Sequence, residues 1–320
     1  MISKTKGLNF LGQFLLLSAT VVWGSSFIIL KETIKALPAL YVIGIRFLIA
    51  ALIIGIIFFY RIKKTDRKTF MRGVVLGLVL AGAYITQTLG LKYIGAGKNA
   101  FITSLYCVMC PFMMWVIFGA KPKSYNIISA VLCVIGIGLV AISGAEEDDS
   151  MLLGAVLTFG CAIFYGLQIV FTGKFHEQKS DVISLLFIQL LTVGIIITVC
   201  SLAFELPFCG IGAYKISADQ LWRVIYLTLA CTLYAQLAQI LGLKFTESNQ
   251  AAVILSLEAV FGVIFAIIIG DEKITPTLWA GFAVIFIGTL ISELKFDIVK
   301  VFKKKKETAA DDNAKKDELD

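Results

Sequence analysis

Residues 87–93 read QTLGLKY, and 152 positions later residues 239–245 read QILGLKF. At this offset, nine of the nineteen positions in 87–105 are identical to their counterparts. Nearly all of the sequence around both copies is apolar. Internal duplication in a strongly hydrophobic chain is typical of proteins built from two related halves that enclose a site near the membrane midplane. The repeat therefore predicts two such halves here.

The composition is that of a membrane protein. Of the 320 residues, 58% are hydrophobic and 16% are charged, and the mean hydropathy is +0.89. A soluble domain needs more polar surface than this. Backbone polar groups cannot be left unpaired in hydrocarbon, so the apolar runs must be helices or barrel strands. Runs of about 20 residues fit helices.

Ten apolar runs are separated by short breaks that carry Pro, Gly or charged residues. Their approximate ranges are 10–30, 38–60, 70–92, 98–119, 124–144, 152–173, 182–205, 220–243, 249–270 and 277–295. We predict an all-α membrane protein with ten transmembrane helices in two five-helix repeats. The repeats are 1–145 and 152–295, joined by an acidic outer linker (146–151) and followed by a basic cytoplasmic tail (296–320). Because five is an odd number, the second repeat should be inverted in the membrane.

The placement of Lys and Arg predicts the orientation. With the N-terminus inside, the inner segments hold 21 of these residues and the outer loops hold six, and Arg46 and Arg223 are left out because they fall within apolar runs. Both termini are then cytoplasmic, as expected for a multi-pass protein of the cell membrane. The tail after Leu294 carries eight Lys, which suits an anionic lipid surface. No nucleic-acid partner is expected, because no folded basic face is predicted.

Several chemistries are disfavoured by the residues that the sequence lacks. It contains one histidine, His176, and no GxxxxGK[ST], HExxH or GxSxG motif. These motifs carry phosphate binding, zinc chemistry and serine-nucleophile chemistry, respectively. We therefore expect no enzymatic activity, no metal, no cofactor and no coupling to ATP within this chain.

Two charged residues fall deep within apolar runs, where a charge is costly and should face protein or a wet cavity. Arg46 lies near the middle of the second run and Glu258 near the middle of the ninth. For Arg46 the alternatives are a counter-charge to a substrate carboxylate or to Glu258, and a structural residue. For Glu258 they are a proton-coupling site, and a neutral or paired residue of helix packing.

Uncharged polar and aromatic residues at similar depth predict the walls of a cavity. Asn99, Thr103 and Tyr106 have the spacing i, i+4, i+7 and so share one face of a helix. For each such residue, hydrogen bonding between helices or plain packing is the alternative. The candidate cavity residues are Trp23, Ser25, Ser26, Gln87, Asn99, Thr103, Tyr106, Tyr165, Gln168, Gln236 and Gln239.

Five segments, taken in order, carry a resemblance to a known family: residues 22–27, 45–47, 90–106, 242–258 and 270–273. Through them the chain resembles EamA-type members of the drug/metabolite transporter superfamily. The resemblance implies ten helices in two inverted repeats, a central cavity lined mainly by spans one, three, four, six, eight and nine, and alternating access. The family's Leu-Tyr-Pro and Leu-Glu-Pro read Leu-Tyr-Cys at 105–107 and Leu-Glu-Ala at 257–259 here. Helix kinks caused by proline are therefore not expected at positions 107 and 259.

We thus predict a secondary transporter of small organic metabolites or drugs, with amino-acid-like solutes favoured, that exports by alternating access. Its expected partners are a small-molecule substrate, the lipid bilayer, and protons as the candidate coupling ion. A facilitator, or an antiporter that runs inward or by exchange, would have the same fold; substrate identity, coupling ion and oligomeric state stay open. A membrane-embedded enzyme would need converging catalytic groups and a channel would need a ring of like charges, and neither pattern is visible.

Overall fold

The computed structural model describes residues 2–142, 149–178, 180–246, 248–270 and 275–294, and every regular element within them is helical. The first three residues of the acidic linker (146–148) and the whole basic tail lie outside these residues. Two π-helical segments (Ser201–Glu205 and Leu229–Tyr234) and one 3₁₀ segment (Ile211–Tyr214) lie between α-helices. The α-helices are α1 (Ile2–Ile34), α2 (Ala39–Ile57), α3 (Phe59–Ile62), α4 (Arg67–Tyr93), α5 (Ala96–Ser104), α6 (Tyr106–Phe118), α7 (Ser124–Ile142), α8 (Asp149–Glu177), α9 (Val182–Cys200), α10 (Leu206–Cys209), α11 (Ala218–Thr228), α12 (Ala235–Phe245), α13 (Ser248–Gly270) and α14 (Pro276–Glu293).

Seven helical stretches of the described chain are long and apolar enough to cross a membrane. They are Leu8–Ile34, Ala39–Ile57, Arg67–Tyr93, Ala96–Phe118, Ser150–Phe175, Val182–Cys209 and Ala218–Gly242. Three shorter apolar helices accompany them: Ser124–Val140, Ile254–Gly270 and Pro276–Ser292. The predicted all-α, multi-pass membrane protein is therefore confirmed, whereas the count of ten crossing helices stays a prediction.

The fourth apolar run is interrupted near its middle. The run at 98–119 forms two helices, α5 and α6, which are separated at Leu105. The N–H of Leu105 bonds to the carbonyl of Ile102, three residues earlier, at 3.3 Å. A proline six residues later, Pro111, lacks the N–H that would bond to Cys107, and its ring crowds that carbonyl. A break thus occurs here without a proline at position 107, while α13 continues unbroken past Glu258.

The duplicated motif places a glycine at a helix crossing in each half of the chain. Where α4 packs on α8, a Cβ on Gly90 would lie 2.9 Å from the carbonyl oxygen of Gly154. Where α12 packs on α1, a Cβ on Gly242 would lie 3.0 Å from the carbonyl oxygen of Gly12. Small residues let helix backbones approach this closely, and a larger side chain would push the helices apart. Close packing therefore accounts for the glycine that both copies share.

The helices pack around a common centre. α1 packs on α12 and α13, α4 packs on α8 and α9, and α5 packs on both α13 and α8. The pairs α2–α9 and α7–α14 flank this group. Helices that are distant in sequence therefore present side chains to one central space.

A carboxylate from one half of the chain caps a helix of the other half. Pro38 precedes α2, whose first N–H groups have no helical partner. Glu205 accepts hydrogen bonds from the N–H of Leu40 at 3.0 Å, from the N–H of Tyr41 at 3.1 Å and from the Ser201 hydroxyl at 2.8 Å. A negative charge at a helix N-terminus also interacts favourably with the helix dipole. Glu205 is thus a structural residue that joins α2 to the π-helical segment after α9.

Candidate functional site

A cavity lies at the common centre of the helices. Its volume, taken as the space open to the centre of a water molecule, is about 60 Å³. A single water needs roughly 10–15 Å³ on this scale, so the cavity has room for several waters or for part of a small organic solute. Its lining combines two opposite charges, three tyrosines and four glutamines with apolar residues. The lining residues are Trp23, Ser26, Phe27, Leu30, Arg46, Leu80, Tyr84, Gln87, Leu91, Thr103, Tyr106, Tyr165, Gln168, Ile169, Gln236, Gln239 and Glu258.

The structure brings eleven of the thirteen candidate residues to this one cavity. They are Trp23, Ser26, Arg46, Gln87, Thr103, Tyr106, Tyr165, Gln168, Gln236, Gln239 and Glu258. They come from eight helices in both halves of the chain. A shared cavity is what a binding site requires, but their role in binding a solute stays a prediction.

Ser25 and Asn99, by contrast, are not among the residues that line this cavity. The Ser25 hydroxyl lies 2.7 Å from the hydroxyl of Tyr226 and donates to a carbonyl of its own helix. The Asn99 side-chain N–H groups donate to Thr158 at 2.8 Å and to the carbonyl of Gln87 at 3.2 Å. Both side chains therefore join helices to one another, the alternative that intramembrane polar residues commonly follow.

Arg46 is held at the cavity by one hydrogen bond and two aromatic rings. Only 2% of the residue is exposed, and its Nε donates to the hydroxyl of Thr232 at 2.6 Å. Its Cζ atom lies 5.4 Å from the ring centroids of both Phe47 and Tyr84, within the range of cation–π attraction. The terminal nitrogens donate to no residue in the described part of the chain. A buried guanidinium normally has its donors satisfied, so these two nitrogens are available to a bound ligand.

Glu258 brings a carboxylate to the same cavity from the middle of α13. Within the described residues it accepts no hydrogen bond, and it forms no ion pair with Arg46. The direct pairing of these two charges that the sequence left open is therefore not observed. An uncompensated charge in a membrane interior is costly, so this carboxylate is a favourable site for a proton or for a cationic group of a ligand.

Four aromatic rings form a continuous row of contacts, and three of them, those of Tyr84, Tyr106 and Tyr165, make an aromatic wall of the cavity. The rings of Phe47 and Tyr84 lie 4.7 Å apart, those of Tyr84 and Tyr165 lie 5.7 Å apart, and those of Tyr165 and Tyr106 lie 6.0 Å apart. The first two pairs are edge-to-face and the third is tilted, which are favourable arrangements of aromatic rings. This wall can pack against the apolar part of a solute and can also attract a cation.

Another part of the cavity wall is held by an irregular turn. The Trp23 indole N–H donates to the carbonyl of Cys231 at 2.9 Å, and Cys231 lies in the π-helical segment Leu229–Tyr234. Such wide turns are frequent at functional sites because they alter which backbone groups are free to bond. The hydrogen bond fixes Trp23 beside the cavity.

Two residues that matter for this geometry were not predicted from the sequence. Tyr84 lies three residues before Gln87 and therefore on the same face of α4, so its position was a usable signal. Thr232 accepts a hydrogen bond from Arg46 and lies in the π-helical segment, which nothing in the sequence indicates. The apolar lining residues, such as Phe27 and Leu80, are indistinguishable by sequence from ordinary core residues.

Comparison with known proteins gives two consistent kinds of similarity. The sequence model of the EamA-like transporter family matches residues 10–142 and again residues 152–294. A solved structure aligns over 88% of this chain and 96% of its own, with a TM-score of 0.64 and 14% identity, a similarity of fold alone.

Curated relatives extend over most of the chain. An uncharacterized transporter of Archaeoglobus fulgidus is 26% identical over 86% of this chain and 83% of its own length. A protein of Escherichia coli named "probable amino-acid metabolite efflux pump" is 24% identical over 87% of this chain and 93% of its own. Together with the double family match, which covers well over half of the residues, these similarities give the conclusion that the chain belongs to the EamA-like transporter family.

Proposed function

We propose that this protein is a secondary transporter that exports small amino-acid-like solutes by alternating access, with the central cavity as the solute site. The observation that carries the proposal is the pair of open charges on the cavity wall. The terminal nitrogens of Arg46 and the carboxylate of Glu258 both lack partners among the described residues, and both face the same space. Membrane interiors contain such groups chiefly where a substrate or an ion binds.

The chemistry of the wall favours a solute with a carboxylate and an amino group. The Arg46 guanidinium can bind a carboxylate through two parallel hydrogen bonds, which is the strongest geometry for such a pair. Glu258 can bind an ammonium group. Tyr84 and Tyr165 can pack against the side chain of the solute. The printed name of the Escherichia coli relative, which refers to amino-acid metabolites, supports the same class.

Protons are the proposed coupling ion. Glu258 is a favourable site for either a proton or a cationic group, and a single carboxylate that accepts one or the other links the two flows. A proton that enters the site releases the solute, and a solute that binds displaces the proton. This exchange is antiport, and it drives export when protons flow inward.

The proposed architecture is ten spans in two inverted repeats, with the halves at 1–145 and 152–295 and both termini at the cytoplasmic side of the cell membrane. Helix contacts support the two-fold relation, because α4 on α8 corresponds to α1 on α12 when the halves are exchanged. The matching glycine crossings at Gly90 and Gly242 support it as well. The excess of Lys and Arg in the inner segments supports the orientation. Rocking of one repeat against the other would then expose the cavity to each side in turn.

Transport by purified protein tests this function. We expect that proteoliposomes given a pooled panel of radiolabelled amino acids and small metabolites show saturable flux of at least one carboxylate-bearing compound. An acidic lumen should accelerate uptake of that compound, because antiport exchanges it for outgoing protons. Protein-free vesicles, and vesicles whose gradient is collapsed with a protonophore, are the controls.

The result also separates the remaining alternatives. Saturable flux that does not respond to the pH gradient would favour a facilitator, and faster flux with unlabelled solute on the opposite side would favour an exchanger. Absence of saturable flux for every compound in the panel would contradict the proposed substrate class.

A further inference from the structure

Thr232 contacts Arg46 but is not among the residues that line the cavity. Its side chain is buried, and its hydroxyl uses both of its hydrogen-bonding roles. The oxygen accepts from the Arg46 Nε at 2.6 Å, and the hydroxyl donates to the carbonyl of Leu227 at 2.9 Å. A hydroxyl with both roles filled cannot rotate freely. Thr232 therefore presents a fixed acceptor to the guanidinium.

The irregular turn makes this double contact possible. Threonine side chains in α-helices usually bond to the carbonyl three or four residues earlier. Thr232 instead bonds to Leu227, five residues earlier, which the wider π-helical segment Leu229–Tyr234 brings within reach. The same segment provides the Cys231 carbonyl that binds Trp23. One turn thus fixes a residue on each of two neighbouring parts of the cavity wall.

We propose that Thr232 is the positioning residue that orients Arg46 toward the carboxylate of the solute. With Nε engaged by Thr232, the edge formed by the two terminal nitrogens is the part of the fork left for a ligand. The rings of Phe47 and Tyr84 restrain the plane of the guanidinium. Thr232 holds the Arg46 side chain in one orientation before the solute binds. Without Thr232, part of the binding free energy would be used to order this long side chain. The inference rests on the proposed function, because it assigns part of the solute selectivity to a residue outside the cavity.

Substitution of Thr232 tests the inference by separating binding from turnover. Thr232→Val keeps the shape and removes the hydroxyl, and Thr232→Ser keeps the hydroxyl. For the carboxylate-bearing solute that the wild type transports, we expect Thr232→Val to raise KM about tenfold and to change kcat by less than about twofold, because the cost of ordering Arg46 would then fall on the binding step. Thr232→Ser should restore KM to near the wild-type value. The carboxamide derivative of the solute should inhibit transport by both variants with the same inhibition constant, because it lacks the charge that Arg46 recognises.

Thr228→Val is the matched control. Thr228 is buried one turn earlier, and its hydroxyl donates to the carbonyl of Val224 at 2.7 Å without contacting Arg46. A KM increase in Thr232→Val and not in Thr228→Val would support the inference. An unchanged KM in a folded Thr232→Val protein would overturn it, and so would an equal increase in both variants.

A second measurement needs no solute. The chain has five arginines, so ¹⁵N-arginine labelling gives five Nε–H signals, and Arg46→Lys identifies the one from Arg46. We expect this signal to be protected from solvent exchange in the wild type and in Thr232→Ser, and to lose protection in Thr232→Val. If the wild type transports nothing, the proposed function fails separately. Unchanged protection in Thr232→Val would then overturn the positioning role by itself.

Discussion

Glu258→Gln is expected to abolish solute accumulation driven by a pH gradient, while solute exchange should persist with a raised KM because the solute ammonium group loses its carboxylate partner. The side chain keeps its size and its ability to hydrogen-bond, but it can no longer take up or release a proton. With one proton exchanged per solute, an acidic lumen that differs by one pH unit can support about tenfold accumulation, since one unit corresponds to about 1.4 kcal/mol. The variant should only equilibrate its solute across the membrane.

The controls for this prediction come from the structure. Glu205→Gln alters a carboxylate that caps α2 and does not line the cavity, so gradient-driven accumulation should persist in that variant. Glu258→Asp keeps a titratable group and should retain part of the coupling. Gradient-driven accumulation in Glu258→Gln that equals that of the wild type would remove Glu258 from the coupling mechanism. Accumulation in an alkaline lumen by the wild type would instead indicate symport and contradict export.

Arg46→Gln is expected to raise KM for a carboxylate-bearing solute by about tenfold to a hundredfold. A hydrogen bond to a charged group contributes about 1.5–3 kcal/mol, and each 1.4 kcal/mol is a factor of ten in affinity. The amide of the variant can still accept or donate one hydrogen bond, but it offers neither charge nor a two-pronged donor. Arg46→Lys should fall between the wild type and Arg46→Gln, because it keeps the charge without the fork.

Arg223→Gln is the matched control for Arg46. Arg223 also falls within an apolar run, but it lies beside the Trp222 ring, donates to the carbonyl of Glu32 at 3.4 Å and does not line the cavity. Measured initial rates over a range of solute concentrations should show a normal KM for this variant. Equal KM values for folded Arg46→Gln and wild-type protein would show that the guanidinium does not bind the carboxylate.

The helices and the depth of the polar residues could be predicted from the sequence because both depend on hydrophobic runs alone. A run of about 20 apolar residues specifies a helix and the level of each residue along it. Depth was enough to group Trp23, Arg46 and Glu258, which the structure places around one cavity. It does not fix the direction in which a side chain points around the helix, which is why Ser25 turned out to face Tyr226.

Contacts between helices could not be predicted in the same way. Arg46 and Glu258 share the cavity without pairing, because lateral separation depends on how α2 and α13 pack and not on their sequences taken singly. No sequence pattern predicts the π-helical segment that contains Thr232. The repeat, by contrast, indicated a real constraint, since Gly90 and Gly242 each lie at a tight helix crossing.

The most direct test that the solute passes through the central cavity is a measurement of saturable flux in a variant with a large side chain placed in that cavity. Ser26 lines the cavity from α1, and Ser26→Trp places an indole in a space of about 60 Å³. Leu17→Trp adds the same ring to the same helix at a position that is 40% exposed. We expect folded Ser26→Trp protein to transport no faster than the leak of protein-free vesicles, and Leu17→Trp to transport at the wild-type rate. Wild-type flux in folded Ser26→Trp protein would contradict a solute path through this cavity.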